Sequence, residues 1–179
     1  MTSVQITVSI TPQQAGRFNL RKKRHKIEQA EYLKELEREG IGPRAARVQL
    51  ALVRPDTWPP LDAVVASAVR RRLAEPDLAG PWEPLTTEEE CEMKLSGRWP
   101  GPAPEVRLVE RNYLLPSELV KELRTASWRV SAAALSQYGP NLGTAERRRL
   151  AELIHSPGRI IRQALDRYGR PEQEESEDE

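Results

Sequence analysis

The usual carriers of catalytic chemistry are scarce in this chain, which has one cysteine, Cys91, and two histidines, His25 and His155. A lone cysteine closes no internal disulfide, so a reducing compartment, the cytoplasm, is the expected location. The three residues lie far apart, without CxxC or HxxxH spacing, so neither a metal nor a cofactor is expected. GxxxxGK[ST], GxGxxG and GxSxG are all missing, and nucleotide-dependent and hydrolytic enzymes lose their usual anchors. No catalytic residue emerges, and the expectation is a protein that is not an enzyme. Aromatics are few as well, at four Trp, four Tyr and one Phe, so the core must be built mainly from aliphatic residues. No apolar run approaches the roughly 20 residues that span a bilayer, so no membrane role is expected. The opening MTSVQITVSITPQQAG has no basic stretch ahead of an apolar one and does not read as a secretory signal.

Charge is plentiful but unevenly spread. Charged residues make up 31% of the chain, yet the formal net charge is +1. Residues 1–80 carry 14 Lys/Arg against 9 Asp/Glu, and residues 169–179 carry one Arg against six acids. A basic N-terminal half favours polyanionic partners through phosphate attraction and counterion release. The acidic tail has no apolar residue to bury and reads as disordered.

Periodicity predicts a mainly α protein, helical lobes with one or two short β-strands. In residues 4–10, Val4, Ile6, Val8 and Ile10 alternate with Gln5, Thr7 and Ser9, the period of a half-buried strand. Thr11-Pro12 then caps a helix to about Glu39, stopped by Gly40 and Gly42-Pro43. A second helix is expected over Arg44–Val53, ending before Arg54-Pro55. A third follows on Leu61, Val64, Val65, Ala68, Val69 and Leu73. Residues 79–104 are rich in Pro and Trp and read as a linker, with one short helix capped at Thr86-Thr87. The acids Glu88, Glu89 and Glu90 suit that helix's first turn. A strand is expected within 106–115, then a helix from Pro116-Ser117 through Tyr138. Thr144 and Ser156-Pro157 open two more helices. The expected organisation is a basic lobe at 1–78, the linker, a helical lobe at 105–168 and the tail at 169–179. No internal repeat is evident.

Two stretches resemble the ribbon-helix-helix DNA-binding proteins. Tyr113-Leu114-Leu115-Pro116-Ser117-Glu118-Leu119 looks like that family's strand-to-helix junction. Ser156-Pro157-Gly158-Arg159-Ile160-Ile161-Arg162-Gln163-Ala164-Leu165 is similar to its second helix. Thirty-six residues separate the two pieces, where the family has a short turn. The strand at 4–10, leading through Ile10-Thr11-Pro12 into a helix, is similar as well. The resemblance implies strands paired antiparallel, one from each of two chains, lying in the major groove. It also implies a phosphate held at the N-terminus of the second helix. With Tyr113 and Leu115 inward, the exposed residues of the second strand would be Glu110, Asn112 and Leu114.

The candidate site residues follow from this chemistry. Arg21, Lys22, Lys23, Arg24 and Lys26 form the densest basic cluster and are candidates for phosphate contacts. The triplets Arg70–Arg72 and Arg147–Arg149 are weaker candidates of the same kind. Gln5, Thr7 and Ser9 are candidates for reading base edges. Trp82 and Trp99 are candidate anchors for a protein partner, with Trp58 and Trp128 as further ones. The expected function is a non-enzymatic nucleic-acid-binding regulator or accessory protein, with DNA favoured over RNA. A structural or adaptor protein working through protein partners or a homo-oligomer is the alternative, and an RNA-binding subunit of a ribonucleoprotein is a further one.

Overall fold

Alternation in the first residues and a second alternating stretch a hundred residues later meet in one sheet. The computed structural model describes residues 2–95, 99–102 and 105–169. Strand β1 (Ser3–Ile10) pairs antiparallel with β2 (Val109–Pro116), Ser3 opposite Pro116 and Ile10 opposite Val109. Val8, Ile10, Tyr113 and Leu115 are buried on the inner face of this ribbon. A two-stranded sheet is marginal by itself, so its apolar face must rest on helices.

Each strand feeds a helix. Helix α1 (Pro12–Arg38) starts in a capping box. The Thr11 hydroxyl accepts from the Gln14 amide at 3.2 Å, and Gln14 Oε1 accepts from the Thr11 amide at 2.9 Å. It ends at Gly40, whose φ of +81° is one that L side chains rarely adopt. The bonds Ile41 N–H to Leu36 O and Gly40 N–H to Glu37 O close that end. Helix α2 (Pro43–Thr57) folds back on α1, and α3 (Leu61–Leu73) follows. After α4 (Thr87–Leu95) and β2 come α5 (Ser117–Gln137), α6 (Thr144–Leu153) and α7 (Pro157–Tyr168). The Ser156 hydroxyl accepts from the Arg159 amide at 3.3 Å and starts α7. The described residues are mainly helical, with two short strands among them.

Some elements differ from the sequence expectation. Helix α2 runs through Pro55 to Thr57, because Pro55 lies in the last turn, where a lost N–H and a kink disturb little. The second strand starts at Val109 rather than 106. Thr144 is the first helical residue, and Gly143 stands at the cap without a side-chain bond. The segments 1–78 and 105–168 pack closely: β1, α1 and α3 share one apolar cluster with β2, α5 and α7. Each aliphatic side chain buried there contributes about 1.5–3 kcal/mol relative to exposure. A smaller cluster joins Ala134, Leu150 and Ile154 with Trp99, Leu135, Tyr138 and Leu142.

The chain folds as two β-α-α-α units, β1-α1-α2-α3 and β2-α5-α6-α7, with α4 in the connection. Their buried positions correspond. Val8 and Ile10 match Tyr113 and Leu115; Gln14, Ala15 and Phe18 match Leu119, Val120 and Leu123. Val65, Ala68 and Val69 match Ile161, Ala164 and Leu165 in the packed pair α3 and α7. By this correspondence Thr7 is equivalent to Asn112, and the register sets those two residues opposite each other. An approximate two-fold axis therefore passes through the middle of the ribbon.

Candidate nucleic-acid interface

The pleat that buries Val8, Ile10, Tyr113 and Leu115 sends six other side chains outward. On β1 these are Gln5, Thr7 and Ser9, and on β2 Glu110, Asn112 and Leu114. Gln5 stands opposite Leu114, Thr7 opposite Asn112, and Ser9 opposite Glu110. At the axis the Thr7 hydroxyl donates to Asn112 Oδ1 at 2.8 Å. Ser9 is half-buried and the other five are exposed, Leu114 at 53%. The sequence places all six outward, and the structure agrees.

Two helix starts bracket the ribbon. Helix α7 lies along β1, where Arg162 donates to the Ser9 carbonyl at 2.9 Å. Helix α3 packs against β2 and carries Asp62 in its first turn. Near α7 the cations are partly committed: Arg159 donates to the Glu152 and Ile154 carbonyls at 2.7 and 2.9 Å, closing the end of α6. A groove of about 510 Å3 runs beside β1, with Lys121 and Arg124 from α5 and Glu90 from α4 on its walls. Arg111, also exposed, stands opposite Val8 and so belongs to the other face of β2. The surroundings of the ribbon are thus mixed in charge, with a cationic margin on the α5 side.

The basic cluster of α1 lies elsewhere. Gln14 Nε2 donates to the Arg162 carbonyl at 3.0 Å and to Asp166 at 2.8 Å, so α1 runs alongside α7 in the same direction. Arg21, Arg24 and His25 consequently reach the far end of α7. There they line a cleft of about 710 Å3 with Trp58, Arg71 and Tyr168. Burial first, and then the charge of Arg21, holds the His25 imidazole below its ordinary 6.5, with Glu28 opposing. Glu28 itself accepts from Trp58 Nε1 at 2.7 Å and pairs with Arg24 at 3.4 Å. Lys22, Lys23 and Lys26 project into solvent on other sides of the helix. The ribbon and the cluster therefore stand at opposite ends of α7, a 12-residue helix and so about 18 Å long. The candidate base-reading strand and the candidate phosphate cluster do not form one surface.

The remaining candidates divide by burial. Arg72 is 1% exposed and enclosed by Asp77, Glu75 and Gln163, so it is unavailable to phosphate. Arg70 and Arg71 are exposed, as are Arg147, Arg148 and Arg149 on α6. Trp58 and Trp128 are buried within the fold, which removes them as exposed partner anchors. Trp99 is half-buried and meets Trp128 edge-on at 6.1 Å between ring centroids. Trp82 remains 37% exposed, with its Nε1 donating to the Leu78 carbonyl at 2.9 Å. Sequence reasoning missed the pairing of β1 with β2. The available signal was the shared spacing of apolar positions in 8–18 and 113–123, obscured because Gln14 and Ala15 answer to Leu119 and Val120. Set against known protein families, curated proteins and solved structures, the chain matches none.

Proposed function

We propose that this chain is a non-enzymatic duplex-DNA-binding protein, a regulator or accessory factor, that inserts its ribbon into the major groove. The observation behind this reading is the exposed outer face of a two-stranded antiparallel sheet bearing Gln5, Thr7, Ser9 and Asn112. A ribbon of two strands fits the major groove of B-form DNA, and Gln and Asn carry the paired donor and acceptor that match adenine there. A-form RNA presents a major groove too narrow for such an element, which favours DNA. The arrangement of paired strands over the packed last helices of the two units, α3 and α7, supports the resemblance to ribbon-helix-helix proteins, here with both halves in one chain and one more helix in each. The cations Lys121 and Arg124 flank the ribbon and meet the phosphates. Arg21, Lys22, Lys23, Arg24 and Lys26, at the far end of α7, add a positive field that speeds encounter.

The test is a set of binding isotherms on selected and random duplexes. Replacing Gln5, Thr7 and Ser9 with Ala should abolish discrimination, about 10-fold or more, while weak salt-sensitive binding persists. Replacing Lys22, Lys23 and Lys26 with Gln should slow association and leave the sequence preference unchanged. Equal binding of selected duplex by wild type and the ribbon variant would reject the reading.

A second reading, a protein adaptor, is favoured by one observation. On α2, Val48 and Leu52 lie one turn apart and are 56% and 72% exposed, and Ile27 on α1 is 59% exposed. Exchanging Val48 and Leu52 for Ser should then weaken self-association or partner capture and leave DNA binding alone.

A further inference from the structure

The two halves of the ribbon are equivalent in geometry but not in chemistry. A symmetric dimer would present the same three side chains twice and so require a palindromic site. Here the positions related by the axis are Gln5 and Glu110, Thr7 and Asn112, and Ser9 and Leu114, with no identity among them. Both strands and both underlying helices also come from one chain, so a second copy contributes nothing that the ribbon lacks. We infer that a single copy of this chain recognises a non-palindromic duplex site in one orientation. The inference rests on the ribbon reading given above and adds to it the class of site.

The chemistry of each end names what that end accepts. At one end Gln5 offers a donor and an acceptor to adenine N7 and N6, and the exposed isobutyl group of Leu114 opposite it suits the thymine methyl. That end selects A·T pairs. At the other end Glu110, opposite Ser9, is an acceptor without a donor; of the two major-groove amines, cytosine N4 suits it, whereas adenine N6 sits beside an N7 lone pair that repels a carboxylate. Glu110 also repels any phosphate not held off by such a bond, which makes this end intolerant of mismatch. In the centre Asn112 spends one acceptor position on Thr7 and keeps its NH2 for a purine N7. From residue 5 to residue 9 a strand rises about 13 Å, or roughly four base pairs at 3.4 Å each. The helix starts repeat the asymmetry: α3 carries Asp62 in its first turn, whereas α7 opens with uncharged Ser156, Pro157 and Gly158.

The experiment is selection from a randomised duplex pool by the full chain, followed by native mass spectrometry of the complex with the winning duplex. The expected consensus is about four to five base pairs without two-fold symmetry, bound by one copy. Glu110→Gln should relax the preference at the cytosine end about 10-fold and leave the A·T end intact, and Leu114→Ala should do the reverse. Both residues are exposed, so both variants should fold. A palindromic consensus, two copies per site, or a variant that alters both ends alike would overturn the inference while leaving the ribbon reading in place. No enrichment of any duplex, or enrichment indifferent to both variants, would remove the ribbon reading and the inference with it.

Discussion

Arg72 joins the two halves of the chain through a single guanidinium. It donates to both Asp77 oxygens at 2.7 and 2.6 Å, to Glu75 at 3.2 Å and to Gln163 of α7 at 3.1 Å. Removing one partner of a buried ion pair costs about 3–5 kcal/mol. Arg72→Ala should fall at the lower bound, near 3 kcal/mol by urea unfolding, because Asp77 is half exposed and can rehydrate. The pH dependence follows from the same group. The hydrogen bond from Arg72 holds the Asp77 carboxyl below its ordinary 3.8. The folded state then binds fewer protons than the unfolded one, so this stability is complete above 3.8 and lost as pH falls through the folded value. His155 is likewise held below 6.5, by burial first and then by Arg159 and Arg72, so its contribution drains in the window beneath 6.5. Urea midpoints should show both losses, with Asp77→Asn flattening the lower step and His155→Gln the upper one. Tyr113 gives the opposite kind of prediction. Burial pushes its phenol up to about 12, and its hydroxyl has no partner among the described residues. Tyr113→Phe should therefore leave stability unchanged or raise it by up to about 1 kcal/mol in the same assay, since no bond is lost and an orphan is removed.

Elements differ in how firmly the core holds them. Helix α3 buries residues from Val65 to Leu73 and α7 from Ile160 to Leu165, whereas among the described residues α1 buries only Leu36 beyond Phe18, and α2 only Ala46. Trp58, set edge-on to Tyr32 at 5.8 Å and bonded to Glu28, is the main clasp of that hairpin. Amides in 22–57 should exchange hydrogen at a lower opening free energy than those of β1, β2, α3 and α7, and Trp58→Leu should widen the gap. Equal protection across α1 and α7 would contradict this. The contrast also marks how far the sequence could be read. Caps at Thr11, Thr86 and Ser156 are local chemistry, and they located the helix starts that the structure shows. Period-2 alternation told which side chains of each strand face inward. It carried no information on which strand would be the partner, because pairing across a hundred residues leaves no local trace. Arg72 looked like one of three equivalent cations for the same reason, since a run of like charges does not reveal that one of them is enclosed by two acids from the following turn and by Gln163 of another helix. Trp58 and Trp128 misled similarly: large aromatics serve interfaces and cores alike, and only packing decides between them.

At the scale of the molecule, the shared core sets a limit on what can be cut away. The inner face of β1 needs β2, and Val65 and Val69 of α3 need Ile161 and Leu165 of α7. A fragment of residues 1–80 would expose Val8, Ile10, Val65 and Val69 together, and would lose the acceptor that Gln163 offers to Arg72. The intact chain should accordingly unfold in a single cooperative transition, with the same midpoint by far-ultraviolet dichroism and by tryptophan fluorescence. The tryptophans make the comparison sensitive, because Trp58 reports the α1–α2 hairpin and Trp128 reports α5. Cleavage at a protease site introduced beside Gly101, in the connection outside any helix or strand, should leave the two pieces associated under native conditions. Separated in urea, each piece alone should show little native structure or should pair with a second copy of itself, because a lone half offers half of a two-fold ribbon. Mixing the pieces should restore the single transition. Two resolved transitions in the intact chain, or a monomeric folded 1–80 fragment, would show that the halves are independent domains. One molecule would then no longer hold a complete ribbon by necessity.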